Sequence, residues 1–238
     1  MSFLRKNLKE ALKNLYEIPI SKGEVALLYL KYSGVIVRTE SSVFAFDPAD
    51  LLGKDEVDLL LKLDALIYTH GHTDHYNKIV AKLIHSKTGA HVIAEPLVAR
   101  DLMDVIPSGK LILASPGNVY DLGEFKVTPI KGLHRGPINL YLIEGEDLTI
   151  FHGGDSAYVP LESYRADLAM VPTGTPSPTA SPQDAFKMVS ALKPKAAAAF
   201  HGSKYEHQEF IDLVKRNLPQ VKAIALEEKK LMKLQVGQ

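Results

Sequence analysis

With 238 residues, 46% hydrophobic and 24% charged, the chain has the make-up of one globular domain, 1–238, able to bury on the order of 70% of its unfolded surface, which excludes disordered and fibrous architectures. Twenty-eight Lys and Arg against 28 Asp and Glu leave no formal net charge; this argues against nucleic acid as a partner, and no run nears the roughly 18 apolar residues of a membrane-spanning helix. The absence of cysteine removes disulfides, thiolate metal sites, iron–sulfur clusters and cysteine nucleophiles, so any metal must be held by His, Asp and Glu, with Zn, Mn or Fe as the expected ions.

Phe3, Leu4, Leu8, Leu12 and Leu15 recur at helical spacing, which predicts an amphipathic helix over 3–16 within an N-terminal segment 1–20. Its apolar face is expected to dock on the domain, or on a second subunit in a homo-oligomer. Residues 1–20 have neither the apolar core nor the cleavage site of a secretory signal, so the expected setting is the cytoplasm, with no membrane partner. The runs 25–32, 35–39 and 43–46 then read as strands joined by tight turns. Further strands are predicted at 65–69, 91–94, 111–113, 124–130, 138–144, 147–152, 167–171, 196–200 and 222–226, and helices at 54–62, 76–87, 96–105, 182–192 and 205–217. Ser181 is the expected cap of the helix at 182, with Pro182 in its first position and Asp184 in its first turn. The stretch PTGTPSPTASP (172–182) is expected to be a long loop facing the active site. Many strands alternating with helices predict a layered α/β sandwich.

The chemistry concentrates in IYTHGHTDHYN (67–77), where three of the nine histidines fall within six residues. Imidazole is the commonest nitrogen ligand of first-row metals, and carboxylate completes such sites. In extended backbone His70 and His72 point the same way, and Gly71 permits tight curvature between them. Asp74 and His75 follow as the chain turns into a helix, so one loop can offer ligands to two metals. Several apolar strands also end in a candidate ligand: VFAF at Asp47, ALIYT at His70, TIFHGG at Asp155 and AAAAF at His201, while His134 follows FKVTPIKGL. In layered α/β proteins ligand sites lie where strand ends converge. No G-x-S-x-G string and no phosphate-binding glycine motif is present.

The order Asp47, H-G-H-T-D-H (70–75), His134, Asp155, His201 resembles the five motifs of the metallo-β-lactamase superfamily, over residues from about 25 to 205. HGGDS (152–156), 172–195 and AFHGSKYEH (199–207) resemble the branch containing ascorbate-6-phosphate lactonase and related uncharacterised hydrolases. The resemblance implies an α/β fold, a four-layer αββα sandwich. It implies His70, His72 and His134 on one metal, Asp74, His75 and His201 on the second, and Asp155 bridging them, with Asp74 and Asp155 as the catalytic carboxylates. Asp47 would support the ligand loop by hydrogen bonds rather than bind metal. It further implies a dinuclear metal-dependent hydrolase in which a hydroxide between two divalent ions, most simply zinc, attacks an ester, lactone or phosphodiester bond of a small, anionic substrate.

His152, three residues before Asp155, is expected either to hydrogen-bond behind the ligands or to be an ordinary strand histidine. Arg135, Tyr158, Lys204 and His207 follow motif residues closely and are candidate substrate contacts, with solvated surface as the alternative for each. The competing function is an iron-dependent oxidoreductase or dioxygenase on the same fold. His72, where the flavodiiron branch carries Glu, and the lack of room for a flavin domain weigh against that branch. A binding module that has lost catalysis is opposed by the complete ligand set.

Overall fold

The structure is a computed structural model describing residues 2–146 and 148–237. The side chains of residues 2–6 lie outside the described residues, so the expected parts of Phe3 and Leu4 in the N-terminal helix fall outside them, as does Asp147 in the expected strand 147–152. In chain order the elements are α1 (Ser2–Glu17), β1 (Glu24–Lys31), β2 (Gly34–Arg38), β3 (Val43–Phe46), α2 (Lys54–Val57), β4 (Ala65–Tyr68), α3 (Lys78–Thr88), β5 (His91–Ala94), α4 (Pro96–Leu102) and β6 (Leu111–Leu113). There follow β7 (Tyr120–Asp121), β8 (Phe125–Lys131), β9 (Asn139–Gly145), β10 (Thr149–His152), β11 (Leu168–Pro172), α5 (Pro182–Leu192), β12 (Ala196–Phe200), α6 (Lys204–Asn217), β13 (Lys222–Ala225) and β14 (Leu231–Gln235). They fall into two compact units: one runs to Ala114 and takes in Glu227–Gln235, the other is Ser115–Leu226 with the residues from Val236. No helix among the described residues is long and apolar enough to cross a membrane.

The first unit holds a seven-stranded sheet in the order β14-β1-β2-β3-β4-β5-β6. β1, β2 and β3 form an antiparallel meander, whereas β3 to β6 run parallel. Parallel neighbours need crossovers, and α2, α3 and α4 lie in them. Val25–Leu30 are buried without a break, the continuous apolar run expected of a strand covered on both faces. Each such fully buried Leu or Val contributes about 1.5–3 kcal/mol. Leu8, Leu12 and Leu15 of α1 join this core beside Ala26, Leu28 and Ile36, so the helix spends its apolar face on its own unit. Arg38 Nη1 donates to the carbonyls of Leu15 (2.7 Å) and Ile18 (2.9 Å), satisfying acceptors that the helix end would otherwise leave open.

Two helices stop short of expectation. The helix predicted over 54–62 ends at Val57 because the amides of Leu59 and Leu60 bond back three residues, to Glu56 and Val57, tightening the chain out of α geometry. The helix predicted over 96–105 ends at Leu102, where Val105 bonds back to Leu102 and Pro107 follows. Two strands were not anticipated. β14 pairs antiparallel with β1, Glu24 opposite Gln235, and β7 pairs with β8; both are short edge strands with little apolar alternation.

The second unit holds another seven-stranded sheet, β13-β12-β11-β10-β9-β8-β7. β8, β9 and β10 are antiparallel, and β10 to β13 run parallel. Ala197 and Ala199 of β12 bury beside Met188, Val189, Phe210 and Val214 from α5 and α6. Ser181 caps α5 as expected, accepting from the Asp184 amide. α6 starts in a reciprocal box in which Ser203 accepts from the Glu206 amide and Glu206 accepts from the Ser203 amide at 2.6 Å. In each sheet the parallel strands release their C-terminal ends at one edge: Asp47, Thr69 and Glu95 follow β3, β4 and β5, and Gly153, Thr173 and His201 follow β10, β11 and β12.

Candidate metal centre

In the first unit the ligand loop is organised by Asp47. Its backbone has φ 41°, a left-handed conformation that costs a non-glycine residue about 1–3 kcal/mol and persists only where its surroundings impose it. The Asp47 amide bonds the Ile67 carbonyl (3.0 Å), and the carboxylate turns into the interior with no exposed surface. There Oδ1 accepts from the Thr69 amide (2.8 Å), while Oδ2 accepts from the Thr69 hydroxyl (2.5 Å) and from His75 Nδ1 (2.9 Å). A hydroxyl has one proton, and Thr69 gives it to Asp47. Its contact with His70 Nδ1 (3.0 Å) must then run from ring N–H to oxygen. Both His70 and His75 therefore carry a proton on Nδ1, which in the neutral ring leaves Nε2 as the lone-pair nitrogen that a metal can take. Asp47, His70 and His75 come close enough together to hold an ion, but Oδ2 already accepts two hydrogen bonds. The geometry is that of a hub behind the two rings.

His70 Nε2 faces His72 Nδ1 at 3.0 Å. Two imidazole nitrogens at this separation either share a proton or share a cation. The Nε2 of His75 lies 3.6 Å from Asp74 Oδ2, whose side chain is 34% exposed. The loop thus presents two pairs, His70 with His72 and Asp74 with His75. The His75 and Tyr76 amides both bond the His72 carbonyl (3.0 and 2.9 Å), a curl that brings the His75 ring to 4.1 Å from the His70 ring. Asn77 then caps α3 by accepting from the Ile79 and Val80 amides, so the loop is braced at both ends.

In the second unit Asp155 and His201 meet directly, with Oδ2 and Nε2 3.1 Å apart and both side chains buried. His201, like Asp47, leaves its strand in a left-handed conformation, φ 48°. Gly154 makes the turn before Asp155 with φ 55°, and its amide donates to His152 Nδ1 (3.2 Å). His152 is therefore an acceptor at Nδ1, the opposite tautomer from His70 and His75. Its ring stacks on Phe200 at 4.9 Å. It braces the turn that carries Asp155. His134, half-buried, contacts the Thr179 hydroxyl through Nδ1 at 2.8 Å.

The candidate substrate contacts differ in their surroundings. Arg135 and Lys204 are exposed. Tyr158 gives its hydroxyl to the Glu162 carboxylate, a bond that raises its phenol above the ordinary range. His207 Nδ1 lies 2.7 Å from the Thr173 hydroxyl, and its ring packs over Gly202, where an added Cβ would stand 2.1 Å from Thr173 Oγ1 and 3.1 Å from the ring. Burial holds the His207 imidazole below its ordinary range, against the Glu206 charge. The threonines at 69, 173 and 179 were not singled out from the sequence. Thr69 directly precedes the histidine cluster, and Thr173 and Thr179 sit in the loop that was, so position was the one available signal.

A family model described as "Beta-lactamase superfamily domain" matches residues 45–202. The chain is 25% identical over 198 residues to a protein of Caldivirga maquilingensis named "UPF0173 metal-dependent hydrolase", the match covering 74% of this chain and 83% of that relative. Among solved structures it is similar to Igni18, described as a novel metallo hydrolase from Ignicoccus hospitalis, with TM-score 0.72, 20% identity and coverage of 89% and 98%. It is also similar to the metallo-beta-lactamase fold protein YhfI from Bacillus subtilis, with TM-score 0.69, 16% identity and coverage of 90% and 100%. At such identities the two structures speak for the fold, and the α/β class with the αββα sandwich expected from the sequence is borne out.

Proposed function

This chain belongs to the beta-lactamase superfamily, and we propose that, as a metal-dependent hydrolase, it works with two divalent ions on a small anionic ester, lactone or phosphodiester in the cytoplasm. His70, His72 and His134 would hold one ion and Asp74, His75 and His201 the other, with Asp155 between them. The observation that carries this reading is the Asp47–Thr69 hub, which commits His70 and His75 to the tautomer with Nε2 free of a proton. Buried, hydrogen-bonded polar clusters of this kind are costly to assemble, and two rings prepared in the same way suit a cation. The donor set, imidazole nitrogen with carboxylate oxygen and no thiolate, fits zinc and also manganese or iron.

Such a pair, when bound, supplies Lewis acidity and brings the pKa of a coordinated water toward neutrality. The chain's own groups do the rest. Asp155 and Asp74 offset part of the positive charge. Asp74, the more exposed of the two carboxylates, orients the incoming water and takes its proton at Oδ1, the oxygen left over when Oδ2 faces His75. Arg135 and Lys204, exposed cations one and three residues after His134 and His201, attract an anionic substrate; buried Asp47 keeps the histidine rings from rotating as charge changes in front of them.

Elemental analysis of the purified chain tests this directly, with about two equivalents of Zn, Mn or Fe expected. Chelation should abolish turnover in a screen of lactones, esters and phosphodiesters, and zinc should restore it. Full activity in chelated, metal-free protein would overturn the reading. Iron content with oxygen consumption would favour the oxidoreductase alternative.

A further inference from the structure

We propose that Thr179 is a positioning residue for the metal pair: its hydroxyl fixes the tautomer and orientation of the His134 ring and ties that ring to the main chain of Asp155. The proposal rests on the two-metal reading above.

Thr179 lies in the loop between β11 and α5, which carries none of the seven proposed ligands. Its Oγ1 stands 2.8 Å from the Asp155 carbonyl oxygen and 2.8 Å from His134 Nδ1. A main-chain carbonyl only accepts, so the single hydroxyl proton goes to Asp155, and Oγ1 must receive the N–H of His134 Nδ1. Nε2 is then the lone-pair nitrogen, available to a cation. The logic repeats that of Thr69, where a threonine hydroxyl passes its proton to Asp47 and receives one from His70.

The loop is built for this contact. Ser177 Oγ donates to the same Asp155 carbonyl (2.9 Å) and accepts from the Thr179 and Ala180 amides (3.3 and 3.2 Å). Ser181 then caps α5. One end of the loop is anchored to the Asp155 turn and the other to a helix, which leaves Thr179 little freedom. His134 needs such a partner more than the buried histidines do. It is half-buried where His70, His75 and His201 are buried, so packing alone does not hold its ring. It also reaches the site from the segment after β8, whereas Asp155 arrives from the turn after β10. Thr179 sets their register, so one side chain orders a ligand of the first ion and the residue proposed to bridge both. Hydrogen bonds behind a ligating imidazole of this kind typically change metal affinity 10–100-fold.

The test compares full-length wild type with Thr179→Val, which keeps the shape and removes the hydroxyl, and Thr179→Ser, which keeps the hydroxyl. Nitrogen-15 NMR of the metal-free protein, with the His134 signals assigned through His134→Gln, reads the ring tautomer. Zinc titration against a competing chelator reads affinity. Wild type and Thr179→Ser should show the Nδ1–H tautomer at His134. Thr179→Val should lose it and bind one of two zinc equivalents about 10–100-fold more weakly, while Thr179→Ser stays within a few-fold of wild type. Thr179→Val with an unchanged tautomer or unchanged zinc affinity overturns the proposal, as does Thr179→Ser failing in the same way. An Nε2–H tautomer in wild type overturns it even where Thr179→Val does not fold. A wild type that shows the Nδ1–H tautomer and takes up no zinc overturns the two-metal reading and leaves the clamp standing.

Discussion

Replacing Asp47 by alanine should destabilise the metal-free chain more than almost any other single change. Asp47 is 0% exposed, and its carboxylate accepts from the Thr69 amide, the Thr69 hydroxyl and His75 Nδ1. Alanine leaves these donors facing a dry hole, at about 1–3 kcal/mol for each donor that finds no other partner. Partial rearrangement of the Thr69 hydroxyl brings the expected total to about 3–5 kcal/mol, the upper end for single substitutions. At about 2–4 °C per kcal/mol for a chain of this length, Tm should fall by about 6–20 °C. Asp47→Asn is the finer tool. It keeps one acceptor oxygen but turns an amide N–H2 toward His75 or Thr69, so a ring proton must move to Nε2. Stability should fall less than in Asp47→Ala, while metal affinity falls about 10–100-fold. Circular dichroism melting of the chelated proteins and chelator competition measure the two effects. A metal-free Asp47→Ala protein melting within about 1 °C of wild type, with metal affinity intact, would refute the hub.

Arg38→Met should open the C-terminal end of α1, since the guanidinium alone reaches both the Leu15 and Ile18 carbonyls; a loss of about 1–3 kcal/mol is expected, with faster proteolysis near residues 17–24 as the readout and unchanged cleavage as the contrary result. Gly202→Ala places a methyl 2.1 Å from Thr173 Oγ1, an overpacking worth about 1–3 kcal/mol that should displace the His207 ring; unaltered His207 NMR signals would count against that packing. Tyr16, bonded to the Lys62 carbonyl at 2.7 Å, has its phenol pushed up to about 12 by burial. Its folded pKa exceeds its unfolded value of about 10, so the stability it contributes is whole below pH 10 and is lost as pH rises toward 12. Tyr16→Phe should show a shallower loss across that window, and identical slopes would remove burial as the cause.

The strands of the parallel stretches were legible because their apolar runs are dense and end abruptly. Val43–Phe46 and Ala196–Phe200 each run straight into a polar residue, Asp47 or His201, and a covered parallel strand produces that pattern. β14 was not legible: Leu231–Gln235 alternates weakly and owes its place to pairing with β1, some two hundred residues earlier in the chain. The ends of α2 and α4 were overrun because apolar residues continue past them. Leu59, Leu60 and Val105 pack on the core from outside the helices, and periodicity does not distinguish such positions from helical ones.

The candidate ligands were readable from residue type and order alone, because imidazole and carboxylate at strand ends have few other uses and H-G-H-T-D-H packs four of them into one loop. What tertiary structure alone decided is which nitrogen of His70, His75 and His134 carries the proton. That depends on hydroxyls brought within hydrogen-bond reach by folding: Thr69 on Asp47, 22 residues away, and Thr179 on His134, 45 residues away. Threonine is common in loops and announces no partner in sequence. A hydrogen bond fails beyond a few tenths of an ångström from its optimum, and only the assembled sheets set distances that finely.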